Sequence, residues 1–332
     1  MRKQLLHLHL HAVSSDVWVH RSLRIKCLVV RQRDWLQGCG ISQSENGALN
    51  LAKGQSQSVS DRVTGGSGVL SQRKYPWMAW IGTSVTPRSF KCGGSLINDR
   101  YVLTAASCID PSFKNYFVTL GDFNRSTLSD SHSIQIQASA IAHPQYNSSN
   151  RNNDIALLKL KIPVNFNAFP HIRPVCLSST DIPTTGHTIT VVGWSSTGVP
   201  YAIPENVLKE ATMKVVGHAT CKVSYPVQAT NNTICVQPDD ENSCKGDFGS
   251  PLLYQTPSGY FLEVGISSYD NGECLPSTGI TATVAAGGVC KGQSNTRFFL
   301  AVAHSPESLS IADYVDNFIK NNTQDAQWCP AP

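Results

Sequence analysis

Cys92-Gly-Gly-Ser-Leu-Ile-Asn-Asp-Arg-Tyr-Val-Leu-Thr-Ala-Ala-Ser-Cys108 carries the texture of most of the chain in one stretch. A glycine pair leads into an apolar run, Asn98 and Asp99 supply turn chemistry, and Tyr101–Thr104 is a short β-branched and aromatic run of the kind that fits a pleated, half-buried surface. The same pattern recurs from Tyr75 onward at Trp77–Ile81, Phe117–Leu120, Ile155–Leu160, Thr188–Val192 and Phe261–Ile266, with Gly, Pro, Asn and Asp between the runs. Many short strands with little helix predict an all-β barrel or sandwich. One helix is predicted near the end, over Ile311–Lys320, where Ile311, Tyr314, Val315, Phe318 and Ile319 fall at helical spacing.

Composition sets the outer bounds. A chain of 332 residues with 41% hydrophobic content has room for one or two domains with a proper core. Its formal charge of +4, from 27 basic and 23 acidic residues, is spread without a basic cluster interleaved with aromatics, which argues against nucleic acid as a partner. No run of about eighteen apolar residues predicts a membrane span. The 11 cysteines are irregularly spaced and lack the paired C-x-x-C set of a structural zinc site, so they read as disulfides in an oxidising compartment, with no metal and no cofactor implied. Sequons at Asn124, Asn147, Asn231 and Asn321 fit a secreted glycoprotein. Met1–Asp16 has a basic start and a leucine stretch broken by His7, His9 and His11, a poor secretory leader. Residues 1–38 are therefore read as disordered and of doubtful origin, either not native coding sequence or standing where the true amino terminus is not represented. A Ser/Gly/Gln/Asn-rich linker follows within 39–62.

Four motifs occur in order. They are Asp61-Arg62-Val63-Thr64-Gly65-Gly66, the Cys92–Cys108 stretch, Asn153-Asp154-Ile155-Ala156-Leu157-Leu158, and Ser243-Cys244-Lys245-Gly246-Asp247-Phe248-Gly249-Ser250-Pro251-Leu252. Together they resemble the trypsin-like serine proteases of the chymotrypsin fold over about Cys39–Asn321. The resemblance implies two packed six-stranded antiparallel β-barrels with a C-terminal helix. It places an activation cleavage between Arg62 and Val63, with the freed Val63 amino group pairing with Asp247.

Acyl transfer on this fold needs a hydroxyl nucleophile, an imidazole base and a carboxylate that orients the imidazole. The positions implied for these groups hold Phe248, Ser107 and Asp154. A serine hydroxyl cannot serve as the base near neutral pH, and phenylalanine has no nucleophilic atom. Loss of the serine or the histidine costs about a millionfold in turnover in the protease cases where this has been taken apart. Gly246 and Phe248 keep backbone amides at the oxyanion-hole remnant, while the Phe248 ring is expected to plug the cleft. The specificity pocket implied by the resemblance comprises Asn242, Ser268, Tyr269, Asp270 and Gly279. Asn242 stands at the floor in place of a carboxylate, and Asp270 narrows a wall usually left open by glycine.

The implied disulfides are Cys39–Cys176, Cys92–Cys108, Cys221–Cys235 and Cys244–Cys274, the first holding the pro-segment after cleavage. Ile189 and Tyr254 stand where a further family bridge would be, and Cys27, Cys290 and Cys329 have no implied partner. Gly279–Val284 reads as the last pocket strand, which leaves residues 285–310 as an atypical insertion containing the apolar run Phe298-Phe299-Leu300-Ala301-Val302. An alternative register puts the strand beyond the insertion, just before Ile311. The domain is thus expected over 63–321 with a tail at 322–332.

The function expected is a non-catalytic homologue, an extracellular binding or regulatory module in a proteolytic cascade, with proteases or their substrates as partners. Two alternatives stand beside it: an active endopeptidase whose histidine and serine are misrepresented in this sequence, and a decayed or misassembled gene product.

Overall fold

The computed structural model describes residues 38–43, 67–69, 71, 73–85, 89–126, 132–177, 183–194, 206–224, 226–227, 233–238, 248–269, 297–301 and 318–328. Two sheets account for nearly all of the regular structure.

The first is a closed barrel of β2 (Met78–Gly82), β3 (Phe90–Leu96), β4 (Tyr101–Thr104), β5 (Tyr116–Leu120), β6 (Ile134–Ala142) and β7 (Ala156–Leu160), joined in the order β2-β3-β4-β7-β6-β5. Every pair is antiparallel. The turn between β3 and β4 is made by the Asn98 side chain, whose Oδ1 accepts from the amides of Arg100 at 2.9 Å and Tyr101 at 2.8 Å. This Asx geometry reverses the chain without leaving its amides unpaired. Trp77, Trp80, Leu96, Leu103, Val118, Leu120, Leu157 and Leu158 fill the interior and are essentially inaccessible to solvent.

The second sheet contains β9 (Thr188–Gly193), β10 (Lys209–Val215), β11 (Thr233–Pro238), β12 (Pro251–Gln255), β13 (Phe261–Tyr269) and β14 (Arg297–Ala301). The path β10-β11-β14-β13-β12-β9 returns on itself, because β9 also pairs with β10. The short β1 (Ser67–Gly68) joins β10, and β8 (Cys176–Leu177) adds a parallel pairing to β13. The alternation expected of a half-buried strand is clean in β10, where Ala211, Met213 and Val215 face inward and Glu210, Thr212 and Lys214 outward. Ile189 is buried and Tyr254 packs against the same apolar cluster. One short helix, α1 (His218–Ser224), leads from β10 toward β11.

Two late stretches of the chain take part in the fold. Within residues 285–310, the stretch read as an insertion, lies β14. It pairs with β11 on one side, Ile234 opposite Phe299, and with β13 on the other, Ile266 opposite Leu300. The run Phe298–Ala301 has strong strand-forming residues, and the backbone edges of β11 and β13 need a partner. The strand also lies about ten residues before the alternative register adjoining Ile311, and Gly279–Val284 is outside the described residues.

The second stretch is the tail. Residues 318–322 are helical, the end of the expected helix, with Phe318 and Ile319 buried. Beyond them the chain is tied to the first barrel. Tyr101 donates its hydroxyl to Asp325 at 2.7 Å, Lys159 pairs with Asp325 at 2.6 Å, and the Gln327 amide donates to Asp99 Oδ1 at 2.7 Å.

The barrels meet along a seam of aromatic and polar side chains. Trp77 and Tyr75 from the first pack against Phe261 from the second, each with ring centroids 5.7 Å apart. Offset and edge contacts of this kind add to the burial they bring. No helix among the described residues is long and apolar enough to cross a membrane.

Candidate functional site

Asp154 begins the approach to β7 and is fully buried at the seam. Its neighbours are set by three different elements. The one-turn 3₁₀ segment Ala106–Cys108, which follows β4, brings Ser107 to it: the Ser107 amide donates to Oδ1 at 2.6 Å and the Ser107 hydroxyl to Oδ2 at 3.0 Å. Ser268, near the end of β13, donates its hydroxyl to Oδ2 at 2.6 Å. Arg151, three residues before Asp154, places Nη1 at 3.8 Å from Oδ2.

Arg151 and Asn153 both have left-handed backbones, φ 59° and 56°, unusual for residues with a Cβ. This tight turn folds the Arg151 side chain back over the carboxylate, where Nη1 also donates to the Tyr146 hydroxyl at 3.1 Å. Burial pushes the Asp154 carboxyl up from the ordinary range, while the donors from Ser268 and Ser107 and the charge of Arg151 pull it back. Burial, and then the nearby Asp154, push the Tyr146 phenol up.

Phe248 lies opposite, in the turn that leads into β12 through Gly249 and Ser250. Its carbonyl accepts from the Gly93 amide at 2.9 Å, and the Gly249 amide donates to the Ser267 carbonyl at 2.8 Å. Gly249 has φ +79°, and a Cβ there would stand 2.2 Å from Thr104 Oγ1 and 2.5 Å from the Gly93 carbonyl, so only glycine fits this turn. The half-buried Phe248 side chain packs against the main apolar core. Ser250, the next hydroxyl along the chain, is fully buried, tucked against Gly93.

The sequence profile of the Trypsin family matches residues 63–286. The chain belongs to the trypsin family.

Similarity to curated proteins agrees. This trypsin-family chain is 33% identical over 270 residues to phenoloxidase-activating factor 3 of Holotrichia diomphalia, covering 74% of this chain and 75% of that protein. It is 32% identical over 230 residues to the clotting factor G beta subunit of Tachypleus tridentatus, covering 64% of this chain and 72% of that one. It is 32% identical over 222 residues to the serine protease filzig of Drosophila melanogaster, where the match covers 63% of this chain but only 13% of the much longer relative. Among solved structures, neuropsin, a serine protease expressed in the limbic system of mouse brain, superposes with a TM-score of 0.58 at 24% identity, covering 76% of this chain and 98% of neuropsin. That likeness supports the shared fold.

The trypsin-family motifs thus bring Ser107, Asp154 and Ser268 into contact and hold Phe248 on the neighbouring turn. Ser268 was expected on the pocket wall, and its hydroxyl is used on Asp154. Tyr269 closes β13. Arg62, Val63, Asn242, Gly246, Asp247, Asp270 and Gly279 lie outside the described residues. Disulfides join Cys39 to Cys176 and Cys92 to Cys108, and Cys235 is also disulfide-bonded. Cys244, Cys274, Cys27, Cys290 and Cys329 are outside the described residues. Around Cys39 the chain is held by backbone bonds as well, Gly40 to Pro174 at 2.9 Å and Phe261 to Gly40 at 2.7 Å. Asn147 and Asn321 are exposed, Asn124 is half-buried, and Asn231 is outside the described residues.

Arg151 and Tyr146 were not singled out from sequence. Arg151 sits in an Asn-rich stretch that reads as a solvated turn. Only the left-handed backbone on either side of Asn152 turns it toward Asp154.

Proposed function

We propose that this chain is a non-catalytic member of the trypsin family, an extracellular binding or regulatory module in a proteolytic cascade, switched by cleavage between Arg62 and Val63. The observation that carries the proposal is the set of partners around Asp154. A carboxylate that orients an imidazole must accept from it. Here the Ser107 hydroxyl, the Ser268 hydroxyl and the Arg151 guanidinium surround the acceptor oxygen Oδ2. Asp154 acts as a structural hub for three elements, and Phe248 offers a half-buried ring at the position implied for the nucleophile.

Several features support a secreted, switchable scaffold. The disulfide Cys39–Cys176 would keep the pro-segment attached after cleavage, and both it and Cys92–Cys108 belong to an oxidising compartment. Two relatives carry the names of an activating factor and a clotting factor. We extend that setting to this chain, with proteases or their substrates as the partners.

The test is to cleave the purified protein after Arg62, then expose it to a serine-directed fluorophosphonate probe and a broad peptide library. Neither labelling nor cleavage is expected. Stoichiometric labelling or sequence-selective cleavage would overturn the proposal in favour of an active endopeptidase.

A further inference from the structure

Glu263 is a carboxyl in a place built for an apolar side chain. It lies within β13, fully buried, with Leu253 opposite it on β12 and Leu177 beside it on β8. Its one polar contact among the described residues crosses the seam: Ser95, on β3 of the first barrel, donates its hydroxyl to Oε2 at 2.5 Å. The other oxygen, Oε1, is buried without a hydrogen-bond partner. Among the described residues an ionised carboxylate there would have one donor for two oxygens and no counter-charge, a state that a dry interior penalises heavily. The neutral acid avoids that penalty and keeps the Ser95 contact.

We propose that Glu263 is a proton-operated latch between the two barrels: neutral, it holds β13 against β3, and ionised, it loosens the seam beneath the Ser107–Asp154–Ser268 cluster. Burial raises its proton affinity to a pKa of about 8, and the Ser95 hydroxyl works in the opposite direction. Among the described residues, including those of β3, β8 and β12 packed against it, these are the two influences on Glu263, and neither is a charged group. The mechanical link to the cluster is short. Five residues further along β13, Ser268 donates to Asp154, and the adjoining Ser267 exchanges backbone hydrogen bonds with Gly249 and Ser250. The latch does not depend on whether the chain cuts peptide bonds.

The sign follows from linkage. Unfolded, Glu263 releases its proton near its ordinary value of 4.5, and folded, near 8, so between these values the folded state holds one proton more. The unfolding constant therefore rises about tenfold per pH unit across that window and levels off above it. Two experiments on the full chain test this. In the first, the melting temperatures of the parent and of Glu263→Gln are compared from pH 4 to 10. The variant, which cannot ionise, should gain on the parent steadily between about 4.5 and 8, with the gap constant above. A gap independent of pH overturns the latch.

The second experiment watches the folded state itself. Infrared difference spectra should show a carboxylic-acid carbonyl band at pH 7 that vanishes with a midpoint near 8, with backbone hydrogen exchange over 261–268 accelerating beyond its intrinsic pH dependence at the same point. Ser95→Ala keeps Glu263 and should move both midpoints upward, so the test survives if Glu263→Gln folds poorly. A carboxylate already ionised at pH 6, or exchange that does not follow the band, refutes the proposal.

Discussion

Replacing Asp154 by alanine separates a structural hub from a catalytic remnant. The side chain is fully buried and accepts three hydrogen bonds, from the Ser107 amide at 2.6 Å, the Ser107 hydroxyl at 3.0 Å and the Ser268 hydroxyl at 2.6 Å. The two hydroxyls can rotate toward other acceptors, but the Ser107 amide cannot, and an orphaned buried N–H costs about 1–3 kcal/mol. The emptied volume adds roughly 1 kcal/mol. Against this, removing a buried carboxylate recovers part of its own desolvation cost, and Arg151 is exposed enough for water to take over its charge. The net loss is about 2–4 kcal/mol, which for a domain of this size lowers the melting temperature by about 5–12 °C.

Asp154→Asn keeps an oxygen for the Ser107 amide and can donate to a rotated hydroxyl, so it should cost about 1 kcal/mol, or about 3 °C. Differential scanning calorimetry of the three proteins at pH 7 measures both. If Asp154→Ala melts within about 2 °C of the parent, or if the two variants lose equally, Asp154 is not the hub described.

On the proposed function, Phe248→Ser alone should remain unlabelled by fluorophosphonate and Ser107→His/Phe248→Ser should acquire labelling, because in proteases loss of either the serine or the histidine costs about a millionfold. Gly249→Ala should unfold the site or fail to express, since its Cβ would lie 2.2 Å from Thr104 Oγ1 and 2.5 Å from a backbone carbonyl, and its φ of +79° disfavours any Cβ. Expression yield and thermal melting read this out. Cys92→Ser/Cys108→Ser opens a loop of 16 residues and should lower stability by about 3 kcal/mol in chemical denaturation. After cleavage at Arg62, the chain should run as one band without reductant and two with it, because Cys39 is bonded to Cys176.

Local sequence was enough for the barrels. Strand period, turn residues and the four motifs are local properties, so Tyr101–Thr104, Phe117–Leu120 and Ile155–Leu160 could be read directly as strands. The residue types at positions 107 and 248, on which the proposed function rests, were equally legible, because chemical type is written in the sequence. What could not be read depended on contacts between distant segments. The last strand of the second barrel required knowing which backbone edges were left open, and these belong to β11 and β13, far apart in the chain. The hold of Asp325 on Tyr101 and Lys159 is likewise a long-range pairing.

The same division applies at the site. Sequence alone pointed to an all-β chain with trypsin-like motifs, and the proposal that Ser107 and Phe248 stand where an imidazole and a hydroxyl would be needed rests on that resemblance. Only the tertiary structure decided what Asp154 does in their company, because a carboxylate's role is set by which donors reach it and how little water does. It likewise turned Glu263, a charged residue that sequence reasoning passes over as a solvated face of a strand, into a buried acid bonded across the seam to Ser95. Proton affinity depends on the surrounding dielectric and on through-space neighbours, and neither exists until the two barrels close on each other.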